Sequence, residues 1–532
     1  MEPYLSLDRA LIYSGDCLDA IKELPDNSID AIVTDPPYGL ANIDDKVFTN
    51  ALLKWVAGKR DFTPAGKGFM GKTWDAFVPP PAVWDECFRV LKPGGHILVF
   101  AGSRTIDLMG ISVRMAGFEI RDSLAWIYGQ GFPKSLDISK AIDKAAGAER
   151  EVIGSRPLTG NGKTMKSGFH QPDGTGAGET VKQEVFEYTA PATDEAKKWQ
   201  GWGTALKPAM EPIIMARKPL SEKTVASNVL KWGTGGINIG KSRIGFTNES
   251  DLAEYDFNQN GQNRSNKDDG ESLELYEGGW KVQKGEKEIP SGRFPSNVIF
   301  GHTEHCVPVG EKEETTLNHN APKGTFAGGE PDRGSDTTEY RANKITTTIW
   351  ECVEGCPVKE LDRQSGIRPG GMYPAKRGQA VNTSFASGQE TVGGQRSMGD
   401  TGGASRYFYQ AKANKKDRNE GLEGLPEKGK VFNGKSDTSA GNAEGSVEDK
   451  FTTKPQTNFH PTVKPTDLLR YLVRMVCPPD GVILDPFIGS GSTGKAAILE
   501  GFKIVGVETT SEYLPIIQGR IEHAIKTYEE NK

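Results

Sequence analysis

The sequence predicts an α/β fold: a doubly wound, mostly parallel sheet formed by the two ends of the chain, with a large region inserted between them. Three observations predict it. Short β-rich apolar runs alternate with helical apolar spacing at both ends. Neither end holds enough strands to make a sheet with both faces covered. Acids stand directly after four of the apolar runs, which is where open α/β sheets bind ligands.

Taken in order, Leu11–Gly15 and Ile29–Thr34 (IDAIVT) are strands. Ala82–Leu91 has helical spacing, broken by Lys92-Pro93-Gly94-Gly95, and His96–Ala101 (HILVFA) is the next strand. At the far end, Gly481–Leu484 and Lys503–Val507 are strands around a helix at Gly494–Glu500, and Tyr513–Glu530 is a final helix. The domain expectation is a first half at 1–145, an inserted recognition region at 146–455 and a second half at 456–532. The middle is rich in Gly, Asn, Thr, Ser, Lys and Asp, and 155–185, 246–290, 310–345 and 376–450 read as long loops. Ordered islands are expected at 205–219, 294–300 and 348–361.

Composition sets limits. The chain has 532 residues, 64 Gly and 32 Pro with no G-X-Y period, which excludes collagen. No apolar run approaches the ~18 residues that span a bilayer, so no membrane helix is expected. Met1-Glu2-Pro3-Tyr4 opens no secretory signal, and six Cys do not make a disulfide scaffold. A reducing, cytoplasmic setting is the expectation. The net charge of −6 argues against a uniformly basic nucleic-acid coat but leaves room for a local basic cleft.

The strand-end acids are Asp16, Asp35, Asp485 and Glu508. Asp485-Pro486-Phe487-Ile488-Gly489-Ser490-Gly491-Ser492-Thr493 follows a strand and opens a helix, and its glycines permit close approach of a ligand. Glu508 ends the next strand, where an acid accepts hydrogen bonds from ribose hydroxyls. An acid at the glycine turn suits a cationic ligand better than a pyrophosphate. Asp35-Pro36-Pro37-Tyr38 is the second motif. A nucleobase amine is a poor nucleophile because its lone pair is delocalised into the ring. The Asp35 carboxylate and the Pro36 carbonyl can accept its two hydrogens, Pro37 holds the backbone, and Tyr38 offers a ring for stacking.

These two motifs together resemble the amino-methylating DNA methyltransferases that use S-adenosylmethionine. With the catalytic motif first, the variable region second and the cofactor motif last, the order is similar to their β class. His460-Pro461-Thr462-Val463-Lys464-Pro465, Gly15-Asp16, Leu91–Gly95 and Trp126–Ser135 add to the resemblance. It covers roughly 1–140 and 456–532, with patches at 205–219, 351–366 and 404–422. The resemblance implies a Rossmann-like sheet and catalytic roles for Asp35, Pro36, Pro37 and Tyr38. It implies a cofactor site of Asp16, Asp35, Thr462, Lys464, Asp485, Phe487, Gly489, Gly491, Thr493 and Glu508. It also implies double-stranded DNA as partner and a flipped target base, within restriction-modification. Asp rather than Ser at position 35 leans towards adenine N6. N4-cytosine methylation, RNA amine methylation and a catalytically dead nucleoside-binding module are the alternatives. His460, before a Pro, reads as positional rather than as a general base.

Two features of the middle stand apart. Ala404–Arg418 carries Arg406, Lys412, Lys415, Lys416 and Arg418 against Asp417, with Tyr407, Phe408 and Tyr409 interleaved. Basic residues can hold phosphates and aromatics can stack on bases or pack into a core, or the stretch is a solvated face beside one buried strand. His302-x3-Cys306 and Cys352-x3-Cys356 can form a Cys3His structural zinc site, with His305 as stand-in for His302, or can be reduced cysteines near a turn.

Overall fold

A computed structural model of the chain describes residues 1–40, 43–66, 73–129, 135–157, 185–245, 292–303, 306–317, 342–366, 368–369, 401–402, 404–411, 415–427, 431–433, 450–452 and 456–532. The loop expected at 246–290, most of 376–450, Lys412 and His305 lie outside them. Contacts divide the chain differently from the expected boundaries at 145 and 455. One compact unit joins Met1–Gly129 to Met210–Lys532, and the other is Gln130–Ala209.

The first unit is built on a ten-stranded sheet. In chain order its strands are β1 (Leu5–Leu7), β2 (Ala10–Ser14), β3 (Ile29–Thr34), β4 (Leu91–Phe100), β5 (Glu119–Ile127), β6 (Met210–Arg217), β7 (Val298–Gly301), β8 (Tyr409–Ala411), β9 (Val482–Asp485) and β10 (Lys503–Glu508). Their spatial order is β1-β2-β10-β9-β3-β4-β6-β5-β7-β8. The run β2, β10, β9, β3, β4 is parallel throughout. β6 lies antiparallel between β4 and β5. The middle region therefore supplies three strands of the sheet as well as insertions. The islands expected at 205–219 and 294–300 contain two of them.

Helices cover both faces, which explains why the central strands read as continuous apolar runs. The helices used below are α1 (Cys17–Lys22), α2 (Pro81–Val90), α3 (Ile106–Met115), α4 (Pro357–Ser365), α5 (Thr466–Val476), α6 (Ser492–Leu499) and α7 (Leu514–Glu530). Side chains alternate along a strand. Leu98 and Phe100 of β4 pack with α5, α6 and α7, while Ile97 and Val99 pack with α1, α2 and α3. Lys92–Gly95 is not a break between helix and strand as expected. It is an irregularity within β4, where the pairing slips between Ile29↔Leu91 and Ala31↔His96. Gly94 has φ +81°, and a Cβ there would stand 2.4 Å from Asn228 Nδ2.

The loop expected over 310–345 is corrected at its two ends, and 318–341 lie outside the described residues. Val307–Leu317 pairs antiparallel with Ala342–Glu351. A hairpin satisfies its backbone groups without a core of its own, so a polar composition does not exclude it. The second unit holds a similar hairpin, Val152–Pro157 with Val185–Thr189. There Asp143, buried, accepts from Arg150 and from the Ala192 and Thr193 amides. Among the described residues no helix is long and apolar enough to cross a membrane.

Candidate active site

Four parallel strands end on one edge of the sheet, and each is followed by or ends in an acid. β2 leads to Asp16, β10 ends at Glu508, β9 at Asp485, and β3 leads to Asp35. The strand order runs outward from β3 in both directions, so these acids flank the crevice where an open sheet binds its ligand.

Asp35 is the centre of a four-residue cluster. Tyr38 Oη lies 2.8 Å from Asp35 Oδ1 and 2.8 Å from Glu211 Oε2. The Lys464 ammonium donates to Asp35 Oδ2 at 2.8 Å and to Tyr38 Oη at 3.1 Å, and sits 3.2 Å from Glu211 Oε2. The one phenolic hydrogen faces both carboxylates, and the Lys464 ammonium bridges the same two acids from the other side. Burial pushes the Asp35 pKa up, opposed by Lys464 and reinforced by Glu211. Burial works against the Lys464 ammonium, but Asp35 and Glu211 outweigh it and raise its pKa. Burial and the two carboxylates hold the Tyr38 phenol well above its ordinary range. The tetrapeptide backbone is fixed separately. Asp75 accepts from the Tyr38 and Gly39 amides, and Thr105 donates to the Tyr38 carbonyl at 2.6 Å. Pro36 is buried and Pro37 half-buried between these anchors.

The glycine turn forms the other half. Thr34 at the end of β3 donates to Asp485 Oδ1 at 2.6 Å, tying the two motifs together. Asp485 is buried and also takes the Phe487 amide and the Thr493 hydroxyl. Burial pushes its pKa up to about 6, against those donors. Glu508 accepts from the Gly489 amide at 3.0 Å and the Thr510 amide at 2.8 Å, one on each oxygen. Burial raises it to about 6 as well. Gly489 and Gly491 have φ +56° and +77°, a region that disfavours a side chain. A Cβ on Gly489 would stand 3.0 Å from His460 Nε2. The His460 ring packs on Tyr513 and its Nδ1 accepts the Thr462 amide, a positioning arrangement. Thr462 is exposed beside it. Phe487 meets Trp84 edge-on. Asp16 is exposed and caps α1 through the Leu18 amide at 2.8 Å.

This site fits a cationic nucleoside cofactor. The turn has no room for side chains, its acids retain lone pairs, and Glu508 stands at the strand end suited to ribose hydroxyls.

Glu211 was not singled out from the sequence. It is the second residue of β6, opposite Trp126 of β5, and also bonds the Tyr128 hydroxyl. The only signal was its place in the resembling stretch 205–219. The basic stretch 404–418 is corrected in part. Arg418 donates to the Asn458 and His460 carbonyls, Tyr409 stacks on Tyr471 at 3.8 Å, and Phe408 meets Phe300. These groups are spent on internal packing rather than held out for phosphates.

The chain matches the model of a family described as DNA methylase over residues 29–519, and it belongs to that family. As a DNA methylase it takes its methyl group from S-adenosylmethionine. A type II methyltransferase of Haemophilus influenzae, M.HindIII, is 26% identical over 271 residues, 48% of this chain and 70% of that protein. The DNA adenine methyltransferase YhdJ of Escherichia coli K12 is 42% identical over 65 residues, 12% of this chain and 22% of that protein. Among solved structures, the PvuII cytosine-N4-specific DNA methyltransferase aligns with a TM-score of 0.35 and 11% identity, covering 99% of this chain and 94% of that one.

Proposed function

We propose that the chain methylates the N6 amine of adenine in double-stranded DNA. The observation that carries this reading is Asp35, a carboxylate at the end of β3, set before Pro36 and bonded to Tyr38. A carboxylate at this position suits the adenine amine. The relative named as a DNA adenine methyltransferase matches at 42% identity, over a short stretch.

Each residue has a part in this reading. Asp35 and the Pro36 carbonyl accept the two amine hydrogens and draw the nitrogen towards a tetrahedral geometry. An ionised carboxylate has about four acceptor positions, and Lys464 and Tyr38 use two of them. The amine therefore has places left on Asp35. Pro37 keeps the backbone rigid, and Tyr38 presents its ring to the base. Lys464 holds Asp35 ionised and aimed. When bound, S-adenosylmethionine supplies a methyl carbon activated by a positively charged sulfur. Glu508 takes the ribose hydroxyls, and Gly489 and Gly491 let the ligand approach the backbone. Asp485, supported by Thr493, and Asp35 offset the positive charge. Asp16, Thr462, Lys464 and Phe487 complete the pocket wall. The target base is flipped, because in the duplex its amine is paired and stacked.

Nucleoside mass spectrometry of DNA treated with the purified chain tests this. N6-methyladenine in duplex DNA is the expected product. N4-methylcytosine, product in RNA only, or no product would overturn the assignment.

A further inference from the structure

We propose that His302, Cys306, Cys352 and Cys356 form a tetrahedral structural zinc site that pins the outer edge of the sheet beside the active site. It is independent of which base is methylated.

The four ligand atoms all lie within 4.8 Å of one another. His302 Nδ1 stands 3.4 Å from Cys352 Sγ and 3.6 Å from Cys356 Sγ. A tetrahedron with Zn–S near 2.3 Å and Zn–N near 2.0 Å has edges of about 3.5–3.8 Å, so the two edges from His302 already have nearly the spacing a zinc ion requires. Cys306 and Cys356 are buried, and all the cysteines are free thiols.

The register of the 307–351 hairpin explains how residues so far apart in sequence meet. Val307 pairs with Glu351, which sets Cys306 beside Cys352. The turn to Cys356 is made by Gly355 at φ +78°, and the Cys356 amide donates to the Val353 carbonyl. His302 follows β7 directly, and its amide bonds the Ala411 carbonyl of β8.

The surroundings are those of a metal site. His302 Nε2 lies 3.2 Å from Gln410 Oε1, and the Gln410 amide nitrogen donates to the Ser405 carbonyl. That second bond orients the amide so that Oε1 faces the ring. Nε2 then carries the hydrogen and Nδ1 turns a lone pair to the sulfurs, as a metal ligand must. Trp350 stacks on the face of the His302 ring at 4.4 Å. The Thr303 hydroxyl lies 3.1 Å from Cys306 Sγ. Among the described residues the apolar cluster here has three buried members, Cys306, Cys356 and Val358. A metal supplies the folding energy that so small a core does not.

The site also touches the strand that serves catalysis. A Cβ on Gly129 would stand 2.5 Å from the Gly355 carbonyl and 3.0 Å from Pro357, so the cysteine turn presses on the chain one residue after Tyr128. β7, which delivers His302, pairs with β5 through Trp126↔Ile299.

Elemental analysis of the full chain, purified without chelators, tests the proposal. One zinc per chain is expected, falling to well below half in Cys306→Ser and Cys356→Ser. No zinc in active protein, or full zinc in both variants, would overturn it. Because a serine variant can fail to fold, cobalt is exchanged into the wild-type chain as a second measurement. A tetrahedral cobalt spectrum with thiolate charge transfer supports the site, and an octahedral spectrum or no uptake refutes it. Hydrogen exchange adds a position-specific readout. Chelation should raise exchange at 298–301 and 409–411 before it does so in 482–508, and uniform or absent change contradicts a site at this edge.

Discussion

Lys464 Nζ lies 2.8 Å from Asp35 Oδ2 and joins the segment His460–Pro465 to the Asp-Pro-Pro-Tyr motif across 429 residues of sequence. The contact is also electrostatic control. Lys464 lowers the Asp35 pKa that burial raises. Protonation turns one Asp35 acceptor position into a donor and removes the charge that draws on the amine, so activity falls as pH drops through its pKa. Lys464→Met removes the opposing charge and moves the acid limb of the kcat/KM profile to higher pH. An unmoved limb would show that Lys464 does not tune Asp35.

Asp485 carries a cost the resting protein bears for its site. Its pKa of about 6 lies above the ordinary value of 3.8, because burial disfavours the charge. The sign follows: the folded state binds the proton more tightly, so the penalty is present above about pH 6 and vanishes as pH falls towards 4. Asp485→Asn should therefore stabilise the protein by roughly 2–3 kcal/mol at about pH 8, with much less gain at about pH 4.5. Methyl transfer should fall at the same time. Thermal unfolding at the two pH values measures it, and an equal gain at both would contradict it.

Asp417 shows the opposite sign. Lys495 Nζ donates to it at 2.6 Å, Arg520 stands 3.8 Å away, and both cations are buried. Burial opposes the Asp417 charge, but the two cations overcome it and lower the pKa. Its contribution is present above the ordinary Asp range and is lost as pH falls through the depressed value. Asp417→Ala leaves Lys495 and Arg520 without this partner, and should cost roughly 3–5 kcal/mol in denaturant unfolding near neutral pH. A loss under about 1 kcal/mol would mean that Glu420 suffices for Lys495.

Glu508 separates cofactor from DNA. Glu508→Ala should weaken S-adenosylmethionine binding roughly 10- to 100-fold, the equivalent of one lost charged hydrogen-bond pair. DNA affinity should change far less. Titration calorimetry with each ligand decides, and equal losses would remove Glu508 from a specific cofactor role.

Much of this site could be read in sequence, because each motif is contiguous. Asp35 to Tyr38 and Asp485 to Thr493 each lie on one strand end and the turn after it. Glu211 could not be read in this way. It joins Tyr38 only because β6 runs antiparallel between β4 and β5, a placement no local pattern encodes. The Cys3His spacing was visible, but the meeting of Cys306 with Cys352 depends on a hairpin whose polar legs read as loop. Arg418 could not be placed from sequence for a physical reason: a charge that bonds two carbonyls inside the fold has the same letter as one held out to DNA.

The most direct test of the central claim is single-turnover methyl transfer to duplex DNA by Asp35→Ala, with folding checked by circular dichroism. Losing an acceptor aimed at developing charge should slow the step by roughly 10²–10³. Transfer within a few-fold of wild type would contradict the assignment of Asp35 to the amine.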